Sequence, residues 1–151
     1  MADDVDVLLK YCEEYWAQGR QLETQRSTVT NFVITIAAAI LVFIAQKGFI
    51  PTSLPLGVFL FFLGLYGAII SEKLYERWQF VRHRARHWRR RINELKPDAQ
   101  LLELMELADK KYHHPLQHVR LHWLWVCLHI SIAAIGLACI VVILIKIQKG
   151  S

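Results

Sequence analysis

The stretch 27–46, STVTNFVITIAAAILVFIAQ, contains no charged residue, and a helix of about 20 such residues is what crosses a hydrocarbon core about 30 Å thick. Lys47 and Gly48 follow it, then a turn with Pro51 and Pro55. A second uncharged run covers 54–71, and a third extends from His122 to Ile145. Three runs of this length specify an all-α integral membrane protein with three transmembrane helices, because in lipid every backbone amide and carbonyl must be satisfied within its own segment. The soluble alternative needs three long buried helices in a 151-residue chain with no sheet for them to cover.

Composition agrees. The chain is 54% hydrophobic and its mean hydropathy is +0.27, which excludes disorder. Three cysteines, Cys12, Cys127 and Cys139, are too few and odd in number for a disulfide scaffold. The first run begins behind an acidic stretch, Asp3, Asp4, Asp6, Glu13 and Glu14, whereas a secretory signal opens with a basic region and has a shorter core.

Orientation follows from the excess of Lys and Arg in cytoplasmic loops. Residues 73–120 hold twelve basic residues against six acidic ones, while the 47–53 loop holds only Lys47. The expected layout is therefore inner-membrane and multi-pass, with the N-terminus and residues 73–120 cytoplasmic and the C-terminus outside. Lys146 and Lys149 oppose this mildly; Trp123 and Trp125 suit an inner aromatic belt.

The helices are expected to continue beyond the spans. Val5, Leu8, Leu9, Cys12, Tyr15, Trp16, Gly19 and Leu22 recur at three-four spacing, so residues 1–26 read as a cytoplasmic amphipathic helix entering the first span. After the second span, Leu74, Trp78, Val81, Ala85, Trp88, Ile92 and Leu95 form a heptad seam over 72–96, as in a coiled coil. Pro97 ends this helix. A short helix and turn over 97–114 carries Leu101, Met105, Ala108 and Tyr112 on one side, and Pro115 opens a helix over 115–146 containing the third span, ahead of an outer tail, 147–151. Such seams do not stay bare in water, so the extensions are expected to form a helical bundle, and the spread of Tyr75, Trp78, Phe80, Val81 and Trp88 points to a homo-oligomer. Small residues, namely Ala37–39, Gly57, Gly64, Gly67, Ala133, Ala134, Gly136 and Ala138, suit close helix packing in lipid, although none has the GxxxG spacing.

The densest chemistry lies in Arg82, His83, Arg84, Arg86, His87, Arg89, Arg90 and Arg91. A solvated face attracting anionic membrane lipids is one reading. At 1.5 Å per residue, Arg89–91 stand about 25 Å beyond Ser71, past a Debye length of about 8 Å, so a vestibule ring, a nucleic-acid or nucleoprotein contact, or a docking site for a trigger remain open beside it. Asn31 and His129 are polar within the spans: an interhelical hydrogen bond and a pathway-lining role are the two readings. His83/His87 and His114/His118/His122 repeat at four-residue steps, but no nearby carboxylate or cysteine completes a metal site, so no metal or other cofactor is expected. Arg82 and His87 fit an R-x4-6-H ribonuclease spacing, as do Arg77 and His83, the only catalytic candidates in a chain read as a non-enzyme. Nucleotide-binding loops, nucleophile elbows and intramembrane carboxylates are missing from the sequence.

The segment from Glu14 to Arg26, EYWAQGRQLETQR, running into STVTNFVITIA, resembles the entry to the first span in RipA-like and SLATT-like small prokaryotic membrane proteins. The layout is also similar to that of the membrane accessory protein of type VI-B CRISPR systems. The resemblance covers the layout of residues 14–95; the third span departs from the two-span SLATT plan. It implies an oligomeric, membrane-disrupting effector of antiviral defence. On this reading Arg82, Arg84, Arg86, Arg89, Arg90 and Arg91 line a pore mouth or receive a trigger, and Asn31 or His129 faces the pathway. A non-conducting scaffold that recruits a protein or nucleic acid through the basic helix, and a membrane-tethered ribonuclease, are the alternatives.

Overall fold

The computed structural model describes residues 2–111 and 121–150. Four α-helices account for nearly all of them: α1 (Ala2–Lys47), α2 (Leu54–Leu95), α3 (Leu101–Lys111) and α4 (Leu121–Gly150). Among the described residues there is no strand, and α1, α2 and α4 each contain a stretch long and apolar enough to cross a membrane.

The helix ends have local causes. Gly48 stops α1 at φ +83°, a left-handed conformation that costs glycine nothing, and its amide donates to the Ile44 carbonyl at 2.8 Å. A single 3-10 turn, Pro51–Ser53, follows. The buried Ser53 hydroxyl donates back to the Gly48 carbonyl at 3.1 Å, and the Ser53 amide to Ile50 at 2.9 Å. At the other end of α2, Pro97 removes a donor and restricts Lys96, so the helix stops at Leu95. A second 3-10 turn, Pro97–Ala99, leads to Gln100 at φ 45°, whose carbonyl accepts the first bond of α3 from Leu104.

The chain divides into two compact units. Unit 1 comprises Met1–Thr24 and Leu74–Arg120. Its inward residues on α2 are the expected seam: Ala85 and Ile92 are buried, and Leu74, Trp78, Val81, Trp88 and Leu95 are half-buried. On α1 the inward residues are Val5, Leu8, Cys12, Tyr15, Gly19 and Leu22, with Tyr11 stacked on Trp88 at 5.9 Å. Leu9 and Trp16, expected on that face, are exposed instead, because they sit at its edges. On α3 no residue is buried. Leu101, on the expected face, is half-buried, whereas Met105 and Ala108 are exposed and Tyr112 lies outside the described residues; the Leu102 amide donates to Asn93 Oδ1 at 3.3 Å and Arg89 donates to Met105 Sδ at 3.7 Å.

Unit 2 comprises Gln25–Lys73 and Leu121–Ser151. Its core joins Val33, Ala37, Ile40 and Ile44 of α1 to Leu60 of α2 and Ile132 and Cys139 of α4. The inward seam here is Ser53 of the preceding turn and Gly57, Leu60, Gly64, Gly67 and Ser71 of α2, all buried. Glycine is required at three contacts: a Cβ on Gly64 would lie 2.8 Å from the Ala133 Cα, one on Gly136 2.8 Å from the Phe61 Cα, and one on Gly67 2.7 Å from His129 Cε1. These contacts bring α2 and α4 to backbone distance without a GxxxG pair, the glycines being shared between both helices. Helix α4 continues to Gly150, so the expected tail 147–151 is helical through that residue. No acid or proline intervenes there to stop it. The expected helix start at Pro115 lies outside the described residues.

Candidate functional site

In unit 1, the seven-residue seam of α2 fixes which arginines share a side. Trp78, Arg82, Arg86, Arg89 and Arg90 border a groove with a volume of about 540 Å3, floored by Val81 and Ala85. Tyr15, Trp16 and Gly19 of α1 and Leu102, Met105, Glu106 and Asp109 of α3 form its other walls. Arg84 and Arg91 are half a helical turn or so away from it: Arg84 lies over Phe80 at 4.0 Å, and Arg91 pairs with Glu94 at 2.8 Å. The six arginines read from the sequence are thus two sets, four on the groove and two on the outer face.

Aromatic rings position the groove arginines. Arg82 lies over the Trp78 indole at 5.1 Å, with Tyr75 stacked on that indole at 6.2 Å, and Arg89 lies over Trp16 at 5.0 Å. Guanidinium groups stack on indoles while leaving their N–H edges free to donate. None of Arg82, Arg86, Arg89 and Arg90 is ion-paired among the described residues. Arg89 Nε is enclosed and has no hydrogen-bond partner. Of the two groove acids, Glu106 is neutralised by Lys110 at 2.7 Å. The groove therefore carries excess positive charge with unused donors. Burial pushes the Cys12 thiol up, and Arg89 offsets this in part.

The structure separates Arg82 from His87. Five residues apart on a helix, they point about 140° away from one another; Arg82 borders the groove, whereas the exposed His87 ring sits edge-on to Trp88 at 5.5 Å. His114 and His118 lie outside the described residues, and His122 Nε2 faces Glu72 Oε2 at 2.7 Å. Among the described residues no group of three His, Cys, Asp or Glu side chains is placed to hold a metal.

In unit 2, the two polar residues within the long apolar stretches part company. His129 is fully buried, and its Nε2 shares a 3.2 Å hydrogen bond with the buried Thr30 hydroxyl. Its Nδ1 is enclosed without a partner, pressed against Gly67. Arg26 lies over Trp125 at 5.3 Å. Asn31 is exposed, on the side of α1 away from the buried Val33, Ala37, Ile40 and Ile44. Thr28, Thr35, Ala38, Ala39 and Val42 are exposed with it, giving α1 a small and polar outward stripe beside Phe32, Ile36 and Phe43. This stripe was missed in the sequence because only the position of the buried face identifies it.

Comparison with protein-family models, with curated proteins and with solved structures gave no match.

Proposed function

We propose that the chain is a homo-oligomeric inner-membrane effector that opens a pore or perturbs the bilayer, in a prokaryotic antiviral setting, with its basic unit facing the cytoplasm to receive the trigger. The observation that carries this reading is the outward stripe of α1. An asparagine amide with no side-chain partner among the described residues, aligned with two threonines and two alanines at span depth, is a poor surface for lipid. It is a good one for a second copy of the helix or for water. Reconstitution tests it. The full chain in nanodiscs is expected to run as a closed ring, and in liposomes to release an entrapped dye; Asn31→Leu is expected to cut release at least tenfold while the three-span unit stays folded. A monomer that releases no dye under any condition would overturn the proposal.

A second reading has an observation of its own. Arg84, Phe80 and Arg91 make a basic and apolar patch on the side of α2 away from the groove, which suits a membrane scaffold recruiting a protein or nucleic acid. It predicts salt-sensitive co-purification of a partner that Arg84→Glu abolishes.

A further inference from the structure

We propose that the groove of unit 1 is a binding site for a small nucleoside polyphosphate, taken as a phosphate chain on Arg82, Arg86, Arg89 and Arg90 and a planar base against Trp16. The inference rests on unit 1 being the part that receives the trigger, and it names that trigger's chemistry.

Four observations meet at the site. First, four guanidiniums face a shared space with one carboxylate, Asp109, left to oppose them once Lys110 has taken Glu106. Unpaired arginine forks are the groups that recognise phosphate oxygens bidentately. Second, Arg89 holds an enclosed Nε with no partner. A buried donor left unmade costs stability, and a phosphate oxygen satisfies it once the Arg89 side chain turns out into the groove on binding. Third, the walls are mixed. Trp16 is 54% exposed on the groove wall, and Val81, Ala85, Leu102 and Met105 supply apolar surface around it. Inorganic phosphate uses none of that area, whereas a base stacks on an indole. Fourth, the volume of about 540 Å3 falls in the range of about 300–1,000 Å3 typical of small-ligand sites. Gly19 keeps the space open: a Cβ there would meet only Trp78 Nε1, at 4.0 Å, so its lack of a side chain serves the cavity rather than helix packing.

An anionic lipid headgroup offers the same phosphate chemistry without the base, so the test separates the two. ATP, inorganic triphosphate and adenosine are titrated by calorimetry into the full chain in phosphatidylcholine nanodiscs. ATP is expected to bind at least tenfold more tightly than either part alone. Arg82→Gln and Arg89→Gln are each expected to weaken ATP at least tenfold. Arg77→Gln, an equal loss of charge on the same helix outside the groove, is expected to leave it unchanged. Gly19→Leu, which fills the groove and alters no charge, is expected to abolish binding while the helical circular dichroism is retained, and Trp16→Leu to reduce ATP to the level of triphosphate. Equal binding of triphosphate and ATP overturns the assignment. So does equal loss in Arg77→Gln and Arg89→Gln, and so does occupancy only in discs containing anionic lipid. Dye release is read separately: ATP bound without release sinks the effector reading and leaves the site standing.

Discussion

Gly67 and His129 show how much one absent methyl group can decide. The imidazole occupies the volume that a Cβ would need, and Thr30 holds its other edge. Gly67→Ala is therefore expected to lower stability by about 1–3 kcal/mol through overpacking, read as a fall in Tm in detergent. Thr30→Val removes only the hydrogen bond, which in membrane proteins averages about 0.6 kcal/mol, so its Tm should fall less. Cys12 makes the second prediction at this scale. Burial raises its pKa and thereby removes thiolate, the form that reacts. In a chain whose other cysteines are replaced, maleimide labelling of Cys12 should be slower at pH 7 than that of an ordinary exposed thiol and should accelerate as pH rises. Arg89→Gln, which removes the lowering charge, should slow it further. The polarity of His129 was plain in the sequence, but its neighbour was not. Nothing in the spacing of Gly67 says which side chain it admits, since that depends on the register between α2 and α4.

At the scale of elements, the steps of three and four that identify the seam of α2 run from Gly57 to Leu95 without a slip, each of those residues being buried or half-buried. That periodicity was legible for 74–95, where apolar residues mark it against a charged background. It was hidden in the span, where every residue is apolar and the marker is small size instead. Helix α3 is the weak element: eleven residues, none buried, and Leu104 and Leu107 turned outward at 58% and 63% exposure. A helix this short is marginal without packing. Hydrogen exchange should accordingly be fastest in α3 among the elements of unit 1. Asn93→Ala, which removes the acceptor for the Leu102 amide, should accelerate it again with little effect on α2.

For the whole molecule, the three helices long and apolar enough to cross a membrane, the helical extensions and the stop at Pro97 were all written in runs of uncharged residues, in heptads and in one imino acid. The groove was not, because it needs α1, α2 and α3 together, and a list of arginines does not say which of them share a side. The charge asymmetry yields a prediction about topology. With Asp98→Cys and Thr52→Cys introduced singly into a chain lacking its native cysteines, a membrane-impermeant thiol reagent applied to intact cells should label position 52, and applied to inside-out vesicles should label position 98. The reverse pattern would invert the proposed orientation.

The turn after α1 bears on what such a molecule can sense. Only Gly48 to Ser53 separates two long helices, Ser53 is 1% exposed, and its hydroxyl and amide are both spent on closing the turn. In the proposed orientation this turn offers the periplasm a blunt cap a few residues wide, with little area to grip a macromolecule. The connection between α1 and α2 is then suited to reporting a change in the bilayer itself, in its thickness, tension or potential, rather than to holding a soluble ligand.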